Sequence, residues 1–280
     1  MRGQNGRYKP RRAPRACPLG RVDRFARSGQ TARMQPQNNP FGPYGQGPSF
    51  APGSYADPRA QLASGVEQFM ARVNAWMAAG VGVTALVAFL LSENSVLMYK
   101  LFATPLVWVV IFAPLVFVWI FASRVHNMAP TTATVLFLVY AALNGVSLST
   151  IFILYSLGSI ASVFAITVAM YGSLSLFGFV TKRDLQPMGK FLFMALIGMI
   201  FTSIFFMFVP GMMGSTAYLI YNVIGVLLFS ALTAYDTQKI KQLYLMNGGR
   251  GNLAIVGALE LYLDFINLFL FLLRLFGNRE

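Results

Sequence analysis

From Val125 to Thr181 the chain contains no Lys, Arg, Asp or Glu, and from Phe191 to Tyr235 there is again none. Apolar runs of that length are read as hydrocarbon-spanning helices. Composition agrees: 56% of the residues are hydrophobic and only 11% are charged. The chain therefore reads as an all-α integral membrane protein. Against that background two carboxylates stand out, Asp236 and Asp264, each near or within a late apolar segment. A carboxylate at membrane depth is costly unless protonated or paired, which makes it a candidate for function.

One Cys (Cys17) and one His (His126) in 280 residues exclude a Cys/His zinc site, a disulfide and a Cys–His dyad within one chain. The net charge of +13 belongs mostly to a tail. Residues 1–33 hold nine Arg and one Lys against one Asp, or 10 − 1 = +9. Such a tail has the charge to meet anionic lipid or nucleic acid. Its Pro/Arg-rich composition without periodicity favours a disordered extension, and no nucleic-acid partner is expected. Met34 offers an alternative start, which would place residues 1–33 outside the native chain. A transit peptide fits less well, because Pro10, Pro14 and Pro18 interrupt any amphipathic helix. Residues 34–60, rich in Pro, Gly, Gln and Asn, continue the tail. The expected division is thus 1–60 as tail and 61–280 as membrane domain.

Seven segments of about 20 residues follow an amphipathic lead-in, Gln61–Arg72, each matched to about 30 Å of hydrocarbon. They are Val73–Ser92, Leu101–Ser123, 131–154, 158–181, 191–209, 216–236 and Leu253–Phe276. Pro105 and Pro114 are read as tolerated kink sites within the second. Basic residues fall on alternate loops: Arg59 and Arg72 before the first span, Arg124, then Lys182, Arg183 and Lys190, then Lys239, Lys241 and Arg250. This pattern puts the N-terminus and the even loops in the cytoplasm. Seven crossings leave the C-terminus outside, whereas Arg274 and Arg279 favour the inside, as a re-entrant last helix would allow. Full crossing is the expectation.

On the last segment Glu260, Asp264 and Asn267 share one helical face, extended by Arg274. A polar stripe at this depth must face protein or water, so the last helix is expected at the centre of the bundle. The preceding helix has a stripe of its own: Asn222, Ser230, Thr233 and Asp236, with Asp236 at its expected cytoplasmic end. If the two helices pack antiparallel, Asp236 approaches Asp264, and the two acids would share a proton. Against this stands an ordinary i,i+3 pair of Asp236 with Lys239. Asn144, Ser147, Ser149 and Thr150 read as polar glue between helices, and His126 as a solvated loop residue.

The strings TKRDLQPMGKFLFMALIG (181–198), LLFSALTAYDTQKIKQLY (227–244) and ALELYLDFINLFLFLLRLFG (258–277) resemble the Bax inhibitor-1 family, most closely its bacterial members. The resemblance spans residues 60–277. It implies seven helices with the last enclosed by the other six, in a bacterial plasma (inner) membrane, and a pH-dependent calcium leak. It assigns the family's proton-sharing aspartates to Asp236 in AYDTQKI and Asp264 in LYLDFINLF. These would also be the transient calcium ligands, with calcium as the permeant ion and no cofactor. It further implies an arginine latch at the end of the second helix, matched here by Arg124 in FASRVHNM. Glu260 and Asn267 are accessory polar residues by position alone.

Two other functions compete. Intramembrane aspartyl proteases also begin with a Tyr-Asp pair, as in Tyr235-Asp236, but need their second aspartate in a Gly-x-Gly-Asp loop, and no glycine stands before Asp264. The chain is therefore not expected to be an enzyme. A non-transporting regulator is the stronger rival. Relatives of this type are associated with membrane-protease control, stress tolerance and suppression of cell death, and the tail could dock such a partner.

Overall fold

The computed structural model describes residues 58–125, 128–209, 214–249 and 251–278. The expectations for the tail through residue 57, and for His126, Pro210–Met213, Arg250 and Arg279, lie outside them. Among the described residues there are nine helices: α1 (Pro58–Ser92), α2 (Ser95–Phe102), α3 (Leu106–Arg124), α4 (Pro130–Leu148), α5 (Ile151–Leu154), α6 (Leu157–Val180), α7 (Gln186–Phe208), α8 (Ser215–Asn247) and α9 (Leu253–Phe276). Seven spans are long and apolar enough to cross a membrane, with α4 and α5 together forming one of them.

Three boundaries differ from the sequence reading. The amphipathic lead-in and the first span are one helix, α1, about 52 Å long at 1.5 Å per residue. The second span does not begin at Leu101. Residues Ser95–Phe102 form α2, capped by the Asn94 side chain, which accepts from the Leu97 N–H at 3.0 Å. Pro105 is the N-cap of α3 rather than a kink within it, in keeping with the tendency of a proline to disfavour helical geometry in the residue before it. Finally, α8 does not stop near Asp236 but continues to Asn247, so Asp236 lies inside the helix. The overhanging parts of α1 and α8 run beside each other, with the Phe69 and Tyr244 rings 4.7 Å apart.

Burial identifies the central element. Of the apolar stretch of α9, 78% is buried, against 6–44% for the other spans. Its principal neighbours are α1, α4, α6 and α8, while α3 packs chiefly on α4 and α7 on α8. Tyr262 of α9, fully buried, shows how tightly this centre is specified. Its ring meets Phe137 and Tyr140 edge-on at 5.7 and 5.8 Å. Its hydroxyl lies 2.7 Å from Thr84 Oγ1. Thr84 has a single hydrogen, which goes to the Gly80 or Ala141 carbonyl, so Tyr262 donates. One hydroxyl pair thereby ties α1, α4 and α9 together. Between α3 and α4 the expected polar glue is present: Ser147 donates to the Val110 carbonyl at 2.6 Å.

Candidate functional site: an acidic pair with a lysine

The hairpin of α8 and α9 builds the site. Gly248 closes α8 in the left-handed conformation (φ +64°), its N–H donating to the Tyr244 carbonyl at 2.7 Å. Gly249 and Gly251 also hold positive φ, where side-chain-bearing residues are disfavoured. The chain therefore reverses within a few residues. Asp236 lies 247 − 236 = 11 residues before the end of α8, and Asp264 lies 264 − 253 = 11 residues after the start of α9. Both stand about 16 Å from the turn, at one depth.

The two carboxyl groups face each other across the α8–α9 contact closely enough to interact. Asp264 is buried, 4% exposed, and its Oδ2 has no donor among the described residues. Asp236 is slightly more open, its side chain 13% exposed. Two carboxylates bring only acceptors to such a contact, so a hydrogen bond between them requires one shared proton. The juxtaposition read from the sequence is therefore present.

Its cationic partner is different. Lys239 Nζ lies 3.6 Å from Asp236 Oδ1 and 2.7 Å from Glu260 Oε1. Among the described residues Arg124 forms no ion pair with either aspartate, and its side chain is exposed. The reason is depth. The carbonyl of Val125, next to Arg124, accepts from Asn252 Nδ2 at 2.7 Å, at the turn end of α9. Asp264 is 264 − 252 = 12 residues further, about 18 Å along the helix, beyond the reach of an arginine side chain. The latch assigned to Arg124 is thus not formed in this structure. Glu260, read only as accessory, is a direct member of the cluster through Lys239, and its Oε2 is buried without a donor among the described residues. Asn267 gives its amide to the Leu263 carbonyl one turn back, and Arg274 stacks at 5.3 Å on Phe271. The polar stripe of α9 therefore contributes Glu260 and Asp264 to the site, while its far end serves the helix itself.

A cavity of about 330 Å³ lies between α1, α6 and α8, its polar lining supplied by Glu67, Asn74, Tyr171, Ser175 and Thr237. The Tyr171 hydroxyl donates to Asn74 Oδ1 at 3.0 Å and is within electrostatic reach of Asp264. Thr237, adjacent in sequence to Asp236, donates to the Thr233 carbonyl at 2.7 Å and lies 3.2 Å from Ser175 Oγ. This space was not visible in the sequence, because it needs three helices at once. Lys239 opposite Glu260 was visible in principle: 239 + 260 = 499, almost the sum of the aspartate pair, 236 + 264 = 500.

Among the described residues no group of three or more Asp, Glu, His or Cys is disposed to hold a metal ion. Two carboxylates alone make a weak cation site.

Comparison with known proteins accords with this architecture. The model of the family described as "Inhibitor of apoptosis-promoting Bax1" matches residues 66–280. The Escherichia coli inner membrane protein YbhL is 42% identical over 233 residues, covering 80% of this chain and 97% of its own. A Caulobacter vibrioides protein is 41% identical over 78% of this chain and 91% of its own. A Streptococcus pyogenes membrane protein is 38% identical over 77% and 95%. Seven spans of which the last is the buried one, together with a family match over most of the chain, identify this protein as a multi-pass membrane protein of the Bax inhibitor-1 family.

Proposed function

We propose that the protein is a calcium leak path through the membrane whose conduction depends on pH through the Asp236–Asp264 pair. One observation carries the reading. A buried carboxyl, Asp264, stands beside a second carboxyl, with one oxygen left without a donor. Two acids in that position exchange a proton at lower cost than either ionises alone. When both are charged they present hard oxygens, suited to calcium. A site of two carboxylates holds an ion weakly enough to release it, as permeation requires. The cavity beside Tyr171, with Glu67, Asn74, Ser175 and Thr237 in its otherwise apolar lining, supports an approach from one side of the bundle.

The overhanging parts of α1 and α8 lie together on one side, and the loops at that end carry the basic residues. This supports a cytoplasmic N-terminus and a site nearer the cytoplasmic face, in a bacterial inner membrane.

Calcium efflux from vesicles containing the purified full chain, followed at two pH values, tests the proposal. Wild-type protein conducts with different rates at the two values. Asp236→Asn and Asp264→Asn each remove the difference. Equal pH dependence in wild type and in both variants would reject the pair as the sensor, and no efflux above protein-free vesicles would reject the leak.

A further inference from the structure

We propose that Lys239 is a tethered cation that decides which ions the aspartate pair admits, and that Glu260 is the seat to which it retreats. The inference deepens the proposed calcium path and rests on it. Three carboxylates and one ammonium meet at this level of the hairpin. Lys239 and Asp236 are one turn apart on α8, while Glu260 and Asp264 are one turn apart on α9. The ammonium is not centred between its partners. It makes a hydrogen-bonded contact to Glu260 at 2.7 Å and a looser one to Asp236 at 3.6 Å. Its side chain is 36% exposed and that of Glu260 is 26% exposed. A four-carbon stem with freedom at its tip can therefore leave Asp236 without leaving Glu260.

The consequence follows from charge. Asp236 and Asp264 without a counter-charge would attract any passing cation. An ammonium anchored one turn away is present at a very high effective concentration. A monovalent ion offers the carboxylates only the charge they already have, so it does not displace the lysine. A divalent ion interacts twice as strongly with the same oxygens and does displace it. The released ammonium is not stranded, because Glu260 already holds it. The lack of a ready three-carboxylate cage among the described residues fits this division of labour, in which Glu260 serves the lysine rather than the ion. The buried Asp264 Oδ2, which lacks a donor, is the acceptor that an incoming ion satisfies.

The test uses the full chain in two preparations. Equilibrium binding of radioactive calcium is measured in detergent, and calcium and sodium fluxes are measured in vesicles under matched gradients. Lys239→Met keeps the length of the side chain and removes its charge. It is expected to tighten calcium binding and to raise sodium flux relative to calcium, each by roughly tenfold, the scale of one partly buried charge pair. Glu260→Gln is expected to act oppositely on calcium, weakening its binding by a similar factor while sodium stays excluded. Lys239→Arg, which retains the charge, is expected to keep sodium out. An unchanged calcium-to-sodium ratio in Lys239→Met overturns the proposal. So does a shift of both Lys239→Met and Glu260→Gln in the same direction, which is the signature of a merely structural pair. Absence of flux in the wild type would remove the proposed path, and the binding measurement would still judge Lys239. Normal wild-type flux with unaltered variants would remove the lysine's role alone.

Discussion

Gly178 of α6 lies against the backbone of α8, and its replacement by alanine gives a direct test of how the helix bearing Asp236 is held. A Cβ built on Gly178 would lie 2.3 Å from the Ala234 carbonyl oxygen and 3.0 Å from its carbonyl carbon and Cα. Ordinary contact begins at 3.4 Å, so the deficit is 3.4 − 2.3 = 1.1 Å. The obstructing atoms are backbone, and no rotamer change relieves them. The two helices must part by about an ångström, two residues from Asp236. Overpacking of this kind costs about 1–3 kcal/mol. Alanine gains up to about 1 kcal/mol over glycine in helix propensity, so the variant needs a control with the same gain. Gly172 on the same helix provides it, since a Cβ there meets nothing within 4 Å. The contrast between Gly178→Ala and Gly172→Ala then isolates the clash. At about 2–4 °C per kcal/mol for a domain of this size, Gly178→Ala should melt roughly 2–12 °C below Gly172→Ala. Thermal unfolding in detergent, followed by tryptophan fluorescence, reads the difference. Equal melting temperatures would refute the close approach of α6 to α8.

Two further perturbations probe the ties that hold loops to the central hairpin. Gln238 binds the loop after α6 at both ends of its amide: Nε2 donates to the Arg183 carbonyl and Oε1 accepts from the Leu185 N–H, each at 2.8 Å. At about 1 kcal/mol per hydrogen bond, Gln238→Ala loses about 2 kcal/mol of local stability, so trypsin should cut at Lys182 or Arg183 some tens of times faster. An unchanged rate would show that the loop is held otherwise. Asn252 ties the end of α3 to the start of α9 by donating from Nδ2 to the carbonyls of Val125 and Met128. Asn252→Ala should lower the melting temperature by a few degrees, for a loss of about 1–3 kcal/mol, and should speed amide hydrogen exchange at Met128 and Ala129. Wild-type exchange there would count against the tie.

The seven spans were legible in the sequence because a charge-free run has few alternatives in a chain of this composition. Their ends were not. The hydrocarbon length predicts a stop near Asp236, but α8 continues for eleven more residues because its next turns are buried on protein: Gln238 on the loop after α6, Ile240 against Gly257 and Tyr244 against Phe69. Likewise α1 extends back to Pro58, with Gly65 and Phe69 against Tyr244. α2 was hidden within apolar sequence, although its cap, Asn94, and the proline that follows it, Pro105, are both ordinary boundary signals. The central place of the last helix was legible from its polar stripe, since Glu260 and Asp264 had to face something other than lipid. Arg124 stands apart from the pair in this structure because likeness of position along a chain carries no depth, and depth is what separates Arg124 from Asp264.

Depth also explains why the site is one cluster rather than two aspartates. In an antiparallel hairpin, residues whose numbers share a sum lie level with each other, and the turn sets that sum. Here the turn runs through Gly248, Gly249 and Gly251, all at positive φ, and the sum is close to 500. Asp236 with Asp264 obeys it, as do Lys239 with Glu260 and, one turn further, Ile240 with Gly257, where a Cβ would come within 3.1 Å of the isoleucine. A single reversal therefore aligns the acids, their counter-ion and the counter-ion's own partner. All four come from one hairpin, so the charge arrangement is set within it, and α1, α4 and α6 pack around it. Those helices contribute the burial that makes the charges expensive.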